Sequence, residues 1–156
     1  MLAIFAYDKC GVLSTHFVPT GQTVNGLYYK QFLQDILRPA IRKKRKHLLE
    51  AGPVLLHDNA TSHKFTQVTS LIDLYGWETL RHPAYSPDLS PSDFDLFPKL
   101  KEPMRGTPFS DLDELKEAVA TEVRRIHSGC LATGIAGLPG RLKSVIEHGG
   151  RYIEGF

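Results

Sequence analysis

A short apolar run that ends in a polar block places the strongest constraint on how this chain folds. Residues 53–56, PVLL, have no polar face, and the letters HDN follow directly. Such a run is typical of a parallel strand covered on both sides. Helical spacing over residues 62–75, with Gly76 placed to end the helix, leads into WETLRH at 77–82, which reads as another strand. Strand, helix and strand in this order predict a βαβ unit and an α/β fold with parallel strands.

The amino-terminal third predicts a hairpin and a helix. LAIFAY at 2–7 and VLSTHFV at 12–18 are separated by turn-forming residues, which favours a β-hairpin. Thr23 is placed to cap a following helix. Pro39 should end or kink that helix, because proline lacks the amide hydrogen that the helix needs.

The carboxyl-terminal half predicts three more helices. Prolines 83, 87 and 91 require a rigid loop, after which Ser92 is placed as the N-cap of a helix that Pro98 bends or restarts. A longer helix is predicted over 111–126, with a capping box formed by Ser110 and Asp113. The last predicted helix, 137–148, opens at Pro139 and has an apolar side formed by Leu138, Leu142, Val145 and Ile146.

Composition favours one soluble intracellular domain over residues 1–156. The chain has 42% apolar residues and a formal charge of +2, so the overall charge does not by itself require a nucleic-acid partner. Cys10 and Cys130 lie far apart without metal-site spacing, which favours free thiols in a reducing compartment. Neither a signal peptide nor an apolar run of membrane-spanning length is present, so no membrane partner is expected.

Two aspartates are the candidate reactive groups. Asp58 follows the carboxyl end of the predicted strand, where loops of an α/β sheet converge on ligands. Asp93 lies in the first turn of a helix that follows the proline loop, so its side chain could return to the same edge. Two carboxylates that meet there would repel unless a cation lay between them, and oxygen ligands suit Mg²⁺ or Mn²⁺. Judged separately, each aspartate more often has a structural role, Asp58 as a turn residue and Asp93 as a helix-dipole or capping residue.

The two blocks around these aspartates resemble a known family. LLHDNATSH and HPAYSPDLSPSDFDLF are similar to the second and third catalytic blocks of mariner-type transposases of the DDE superfamily, a catalytic domain also found in SET-domain–mariner fusion proteins. Thirty-four residues separate Asp58 from Asp93, which matches the mariner spacing. The resemblance extends over essentially the whole chain, through FVPTGQTVNGLYYKQFL and GLPGRLKSVIEHGGRYI.

The resemblance implies a fold, a reaction and a set of ligands. The fold would be RNase H-like, a mixed sheet flanked by helices. Asp58 and Asp93 would be catalytic metal ligands, with His57, Asn59 and His63 in supporting roles; His63 is expected one turn into a helix, as a structural or supporting residue. In the family, two divalent ions held by three carboxylates activate water to nick the transposon end, and then activate the freed 3′-hydroxyl for joining to target DNA.

The family pattern is incomplete in this sequence. The only acids before Asp58 are Asp8, Asp35 and Glu50, and none has the sequence context of the family's first aspartate. The resemblance therefore implies an amino-terminally truncated domain that lacks the usual first, central strand and the helix-turn-helix DNA-binding domain. We expect a gap or unpaired strand edges in the sheet, and no DNA cleavage.

Other features have two interpretations each. The basic run Arg42, Lys43, Lys44, Arg45 and Lys46 predicts phosphate contacts or a nuclear localisation signal, or else a solvated helical face. Tyr85 and Phe94 could line a DNA channel, although Phe94 and Phe97 fit core positions as well. Asp88 is expected to shape the proline loop, and Asp95 to point away from Asp93.

The sequence thus predicts a nuclear mariner-type catalytic domain whose partner is DNA, with a homodimer left open. Two alternatives remain: a non-catalytic nucleic-acid-binding or protein-interaction module derived from a transposon, and a decayed gene fragment.

Overall fold

The computed structural model describes residues 1–58, 60–80, 83 and 86–149. Within these residues the chain forms four strands and seven α-helices. The elements are β1 (Leu2–Asp8), β2 (Gly11–Val18), α1 (Gly26–Phe32), α2 (Arg38–Lys44), α3 (Lys46–Ala51), β3 (Val54–Leu55), α4 (Thr66–Leu74), β4 (Glu78–Thr79), α5 (Phe97–Lys101), α6 (Leu112–Ser128) and α7 (Gly134–Glu147). Short π-helical segments span Leu33–Leu37 and Ser92–Leu96, and 3₁₀ turns span Pro87–Leu89 and Glu102–Met104.

The predicted hairpin is confirmed. β1 pairs with β2, and the Cys10 amide donates to the Asp8 carboxylate at 2.9 Å in the turn between them. Gly11 opens β2 with φ of 129°, a backbone conformation that a residue with a Cβ rarely adopts.

The predicted βαβ unit is also confirmed, but its strands are shorter than expected. β3 and β4 pair in parallel, with Val54 opposite Glu78 and Leu55 opposite Thr79. The prediction that residues 53–56 are covered on both sides is wrong, because Val54 is 57% exposed. In the described part of the chain β3 pairs only with β4, and β1–β2 and β3–β4 form two separate two-stranded sheets. Arg81 and His82, at the end of the predicted second strand, lie outside the described residues.

The first helical region begins later than predicted and is interrupted. Asn25, not Thr23, caps α1, because its side chain accepts a hydrogen bond from the Tyr28 amide at 2.8 Å. A π-helical segment then connects α1 to α2, and Pro39 lies in the first turn of α2. A proline is tolerated there, since the first amides of a helix have no partner within it.

The remaining predicted helices are present with shifted ends. α4 begins at Thr66 instead of residue 62, and Gly76 follows its end with φ of 72°, as predicted. Asp111 and Glu114 cap α6 in place of Ser110 and Asp113.

α7 differs from the prediction in both its start and its buried face. It begins at Gly134, so Pro139 lies inside the helix, not at its first position. Its buried residues are Gly134, Leu138, Arg141 and Ser144, whereas Leu142 and Ile146 are exposed. The predicted apolar side is therefore wrong at Leu142 and Ile146, whereas Val145 is half-buried.

The chain divides into two compact units. The first comprises Met1–Ala6 and Leu13–Ala84, and the second comprises Tyr7–Val12 and Tyr85–Phe156. The first unit is built on a core of buried side chains: Leu13, Tyr29, Phe32, Leu33, Leu37, Ile41, Val68, Leu71, Ile72 and Trp77. Buried apolar side chains of the second include Leu89, Leu96, Leu100, Val119, Ile126, Ala132 and Leu138. Among the described helices, none has the length and apolar character needed to cross a membrane.

Candidate active site

Asp58 lies just past β3 in an exposed loop, as predicted. Its side chain is 58% exposed, and its Oδ1 accepts a hydrogen bond from the Ala60 amide at 3.0 Å. This is the turn geometry that an aspartate forms with the backbone two residues on. The turn uses only one carboxylate oxygen of Asp58, so the turn is compatible with the predicted role as a metal ligand.

His63 holds the same carboxylate. Its Nδ1 is 2.8 Å from Asp58 Oδ1 and 3.1 Å from the Asp58 carbonyl oxygen. The expectation that His63 lies one turn into a helix is wrong. It lies in a turn before α4, where the amides of His63 and Lys64 donate to the Ala60 carbonyl, and Phe65 is extended with ψ of 133°.

His57 and Tyr29 complete a compact cluster with His63 in the first unit. The two imidazole rings are stacked, with centroids 4.6 Å apart and planes inclined by 6°. The Tyr29 hydroxyl and His57 Nδ1 share a hydrogen bond of 2.8 Å, and the Tyr29 ring lies 4.2 Å from the His63 ring. Asn59, the remaining predicted supporting residue, lies outside the described residues.

The electrostatics of this cluster follow from burial and from the neighbouring charge. Burial, and to a lesser extent the neighbouring His63, lower the pKa of His57 to about 4, and Asp58 opposes the shift. Burial and the Asp58 carboxylate together raise the pKa of the Tyr29 hydroxyl well above its usual range. Near neutral pH both groups are therefore uncharged, and Asp58 provides the negative charge of the cluster.

Asp93 lies in the second unit, in the π-helical segment Ser92–Leu96. It is exposed, and its amide donates to the Ser90 carbonyl at 2.9 Å. The predicted N-cap at Ser92 is wrong, because Pro91 occupies the cap position and no side chain caps this segment. π-helical turns are rare and are frequently found at functional sites, which fits a ligand at this position.

Buried polar contacts hold the segment that carries Asp93 in place. Asp95, which is buried, accepts from the Gly134 amide at 2.7 Å and forms an ion pair with Lys99. Arg141 of α7 donates to the Asp88 carbonyl at 3.0 Å and lies 3.8 Å above the Phe94 ring. Burial of Asp95 beside exposed Asp93 fits the expectation that the two side chains differ in direction.

The basic run lies at the junction of α2 and α3. Arg42, Lys43, Lys44 and Lys46 are exposed, and Arg45 is half-buried. The Lys44 ammonium donates to the Leu13 carbonyl at 2.8 Å, so this residue also has a structural role. Tyr85, the proposed aromatic partner of Phe94, lies outside the described residues.

The structure thus brings His57, Asp58 and His63 together with Tyr29, while Asp93 belongs to the other unit and its pairing with Asp58 stays a prediction. Among the described residues, no three or more His, Cys, Asp or Glu side chains form a group able to hold a metal ion. Exposed carboxylate oxygens are nevertheless the ligands that a hard cation such as Mg²⁺ or Mn²⁺ prefers.

Sequence reasoning missed Tyr29, Lys99 and Arg141. Tyr29 is 28 residues from His57, and its only sequence signal is a polar tip on the apolar face of α1. Arg141 gives a weak signal as a charged residue next to the predicted apolar side of the last helix. For Tyr29 and Arg141 the partner is brought close by tertiary packing alone. Lys99 lies four residues after Asp95, a helical spacing that could have predicted the ion pair.

Comparisons with known proteins identify relatives of this chain. The family model described as DDE superfamily endonuclease matches residues 9–116. Mariner Mos1 transposase of Drosophila mauritiana is 32% identical over 159 residues, covering 99% of this chain and 45% of that protein. Histone-lysine N-methyltransferase SETMAR of Homo sapiens is 28% identical over 148 residues, covering 95% of this chain and 22% of that protein. The chain therefore spans less than half the length of either relative.

A solved structure of a relative's catalytic domain is matched over more of its length. The Mos1 transposase catalytic domain with Raltegravir and Mn superposes with a TM-score of 0.89 at 31% identity. The match covers 96% of this chain and 76% of that one.

Proposed function

The chain belongs to the DDE superfamily of endonucleases, and we propose that its 156 residues bind a divalent cation and DNA without cleaving DNA on their own. One relative is the mariner Mos1 transposase, and its catalytic domain has the same fold, so the predicted family and the α/β, RNase H-like fold are confirmed. The ancestral reaction of such a domain is metal-dependent DNA strand cleavage and strand transfer.

The observation that carries the proposal is the state of Asp58. Its carboxylate lies exposed at the carboxyl end of β3, with one oxygen fixed by two hydrogen bonds. Asp58 and Asp93 would hold the cation, which is supported by the manganese in the Mos1 catalytic-domain structure. When bound, such a cation would make water or a 3′-hydroxyl a stronger nucleophile and neutralise charge on the phosphate.

The proposed lack of cleavage follows from the number of ligands. In the family three carboxylates hold the two ions, and none of the acids before Asp58 in this sequence has the context of the first of them. The test is a nicking assay with Mg²⁺ or Mn²⁺ on DNA that carries mariner-type terminal repeats. We expect wild-type protein and Asp93→Ala to give the same background. Metal-dependent turnover that Asp93→Ala abolishes would contradict the proposal.

The second candidate function is DNA binding that does not depend on a metal ion, favoured by the exposed basic junction of α2 and α3. Replacement of Arg42, Lys43 and Lys46 by glutamine should weaken DNA binding and reduce the salt dependence of affinity, by about 0.9 in slope for each phosphate that the protein no longer neutralises. Lys44 is left unchanged because it bonds to the Leu13 carbonyl. The matched control is glutamine at Lys101, Arg105 and Lys143, which removes the same charge from other exposed positions. Equal effects of the two triple variants would exclude a specific phosphate site at the junction.

The same basic residues are proposed to direct the protein to the nucleus. A fluorescent fusion should become evenly distributed in the Arg42, Lys43 and Lys46 variant, and should stay nuclear in the control variant. Self-association is tested by sedimentation of the purified chain with and without DNA, since a homodimer is an open part of the proposal.

A further inference from the structure

His63 is the residue outside the proposed ligand pair that acts most directly on Asp58. Its Nδ1 faces two oxygen atoms of Asp58, Oδ1 at 2.8 Å and the main-chain carbonyl at 3.1 Å. Both oxygens can only accept, so Nδ1 must carry a hydrogen and donate it. The geometry therefore sets the tautomer of the neutral ring, with the hydrogen on Nδ1.

The hydrogen bonds to Asp58 are unequally distributed between its two carboxylate oxygens. Oδ1 accepts from both the Ala60 amide and His63, and these are the carboxylate contacts found in the described part of the chain. A turn alone would need only the Ala60 contact. The second donor fixes the rotation of the carboxylate and leaves Oδ2 for another partner.

His63 is itself held in place by aromatic packing. It stacks on His57 and lies against Tyr29, and its side chain is only 18% exposed. α1 can bring Tyr29 this close because Gly26 lies against Phe65: a Cβ on Gly26 would lie 2.3 Å from that ring. The donor therefore sits in a packed site, while the carboxylate that it orients is largely exposed.

We propose that His63 is a positioning residue that directs Asp58 Oδ2 toward the cation by occupying Oδ1. The proposal rests on the proposed function of Asp58 as a cation ligand. Hydrogen bonds that orient metal-binding side chains typically change metal affinity by about 10–100-fold when removed.

The first test is made without metal. Long-range ¹H–¹⁵N correlation spectra of the 156-residue protein distinguish the tautomers of a neutral histidine. We expect His63 to carry its hydrogen on Nδ1. A spectrum showing the Nε2-protonated tautomer would overturn the proposal, whatever the protein binds.

The second test compares two amide variants with manganese as the probe. In His63→Asn the side-chain amide can occupy the place of Nδ1 and donate to Oδ1, whereas in His63→Gln it reaches the place of Nε2. Both variants lose the stacked ring, so their difference isolates the donor. Binding is followed by the broadening of the His57 and Ala60 amide signals during a Mn²⁺ titration, with magnesium added to reverse it.

The expected result is near wild-type affinity for His63→Asn and a loss of about tenfold or more for His63→Gln. His47→Gln, at an exposed histidine of α3, is the control and should change nothing. Equal affinities for the Asn and Gln variants would overturn the role of His63 while leaving the proposed function intact. Asp58→Asn separates the two ideas: if it binds Mn²⁺ as the wild type does, Asp58 is not a ligand and both proposals fail.

Discussion

Asp93 and Asp95 are two residues apart, yet their environments are opposite. Asp93 is exposed, whereas Asp95 is buried and pairs with the Gly134 amide and Lys99. Each carboxylate oxygen of Asp95 already has a partner, so binding a cation would require breaking a buried hydrogen bond or ion pair. Of the two acids, therefore, only Asp93 is suited to bind an incoming ion, and Asp95 is suited to hold the segment that carries it.

We expect Asp95→Ala to reduce the free energy of unfolding by about 3 kcal/mol, the upper end for a buried donor left unpaired. The Gly134 amide and Lys99 would both lose their acceptor. Asp93→Ala should change the same free energy by no more than about 0.5 kcal/mol, as is usual for a surface residue. Urea denaturation of the three proteins tests this, and equal losses in both variants would refute the assigned division of roles.

Glu114 provides a pH-dependent contribution at the start of α6. The Ser110 hydroxyl donates to its carboxylate at 2.5 Å and the Ser110 amide at 2.7 Å, and these bonds lower the pKa of Glu114 below its usual value of 4.5. A carboxyl whose folded pKa is lowered stabilises the fold above its unfolded pKa, and that contribution disappears as the pH falls through the folded pKa.

Glu114→Gln should therefore lower Tm at pH 7, and the difference from wild type should close as the pH falls below 4.5 and through the lowered pKa of the folded state. Asp113→Asn is the control, since it also removes a charge from the first turn but has no bond to Ser110. If both variants lower Tm equally at pH 7, the helix dipole and not the cap is responsible.

At the scale of whole elements, two helical glycines differ in what surrounds them. Gly26 opens α1 against Phe65, and a Cβ there would lie 2.3 to 2.6 Å from atoms of the Phe65 side chain. Gly137 lies within α7, where nothing is within 4 Å of the position of a Cβ. The same substitution should thus have opposite effects at the two positions.

Gly26→Ala should destabilise the protein by about 1–3 kcal/mol, the range for overpacking. Gly137→Ala should stabilise it by about 0.5–1 kcal/mol, because alanine loses less backbone entropy in a helix. Thermal unfolding of both variants measures the effects. Stabilisation by Gly26→Ala would contradict close packing of α1 against Phe65.

The elements that could be predicted from sequence are those set by local pattern. The apolar run before Asp58 and the helical spacing after it predicted the parallel β3–α4–β4 unit, although not the short strands. The buried face of α7 could not be predicted from its sequence. Arg141 is buried against the Asp88 carbonyl, 53 residues away in sequence, and against the similarly distant Phe94 ring. Ile146, although apolar, is 80% exposed. Tertiary partners of this kind override hydrophobic periodicity.

The candidate site shows the same limit. Asp58, His57 and His63 are close in sequence, so their grouping was predictable, whereas the contribution of Tyr29 depends on packing of α1. The position of His63 in a turn was not predictable from spacing, since residues 62–65 continue the helical pattern of α4. Its bonds to Asp58 and the Ala60 carbonyl compete successfully with helix formation there.

At the scale of the whole molecule, each compact unit has its own fully buried side chains. Leu33, in the first unit, and Ile126, in the second, both have 0% of their surface exposed. Regions with separate cores can open with separate free energies, and native-state hydrogen exchange reports this element by element.

We expect Leu33→Ala and Ile126→Ala each to reduce stability by about 2–5 kcal/mol, as is typical for such truncations in a core. Leu33→Ala should lower amide protection in α1, α2 and α4 more than in α6, and Ile126→Ala should lower it in α6 and α7 more than in α1. Each variant is the control for the other, because both remove a similar apolar volume from a fully buried position. An equal loss of protection in all helices from either substitution would mean that the two cores unfold as one cooperative unit.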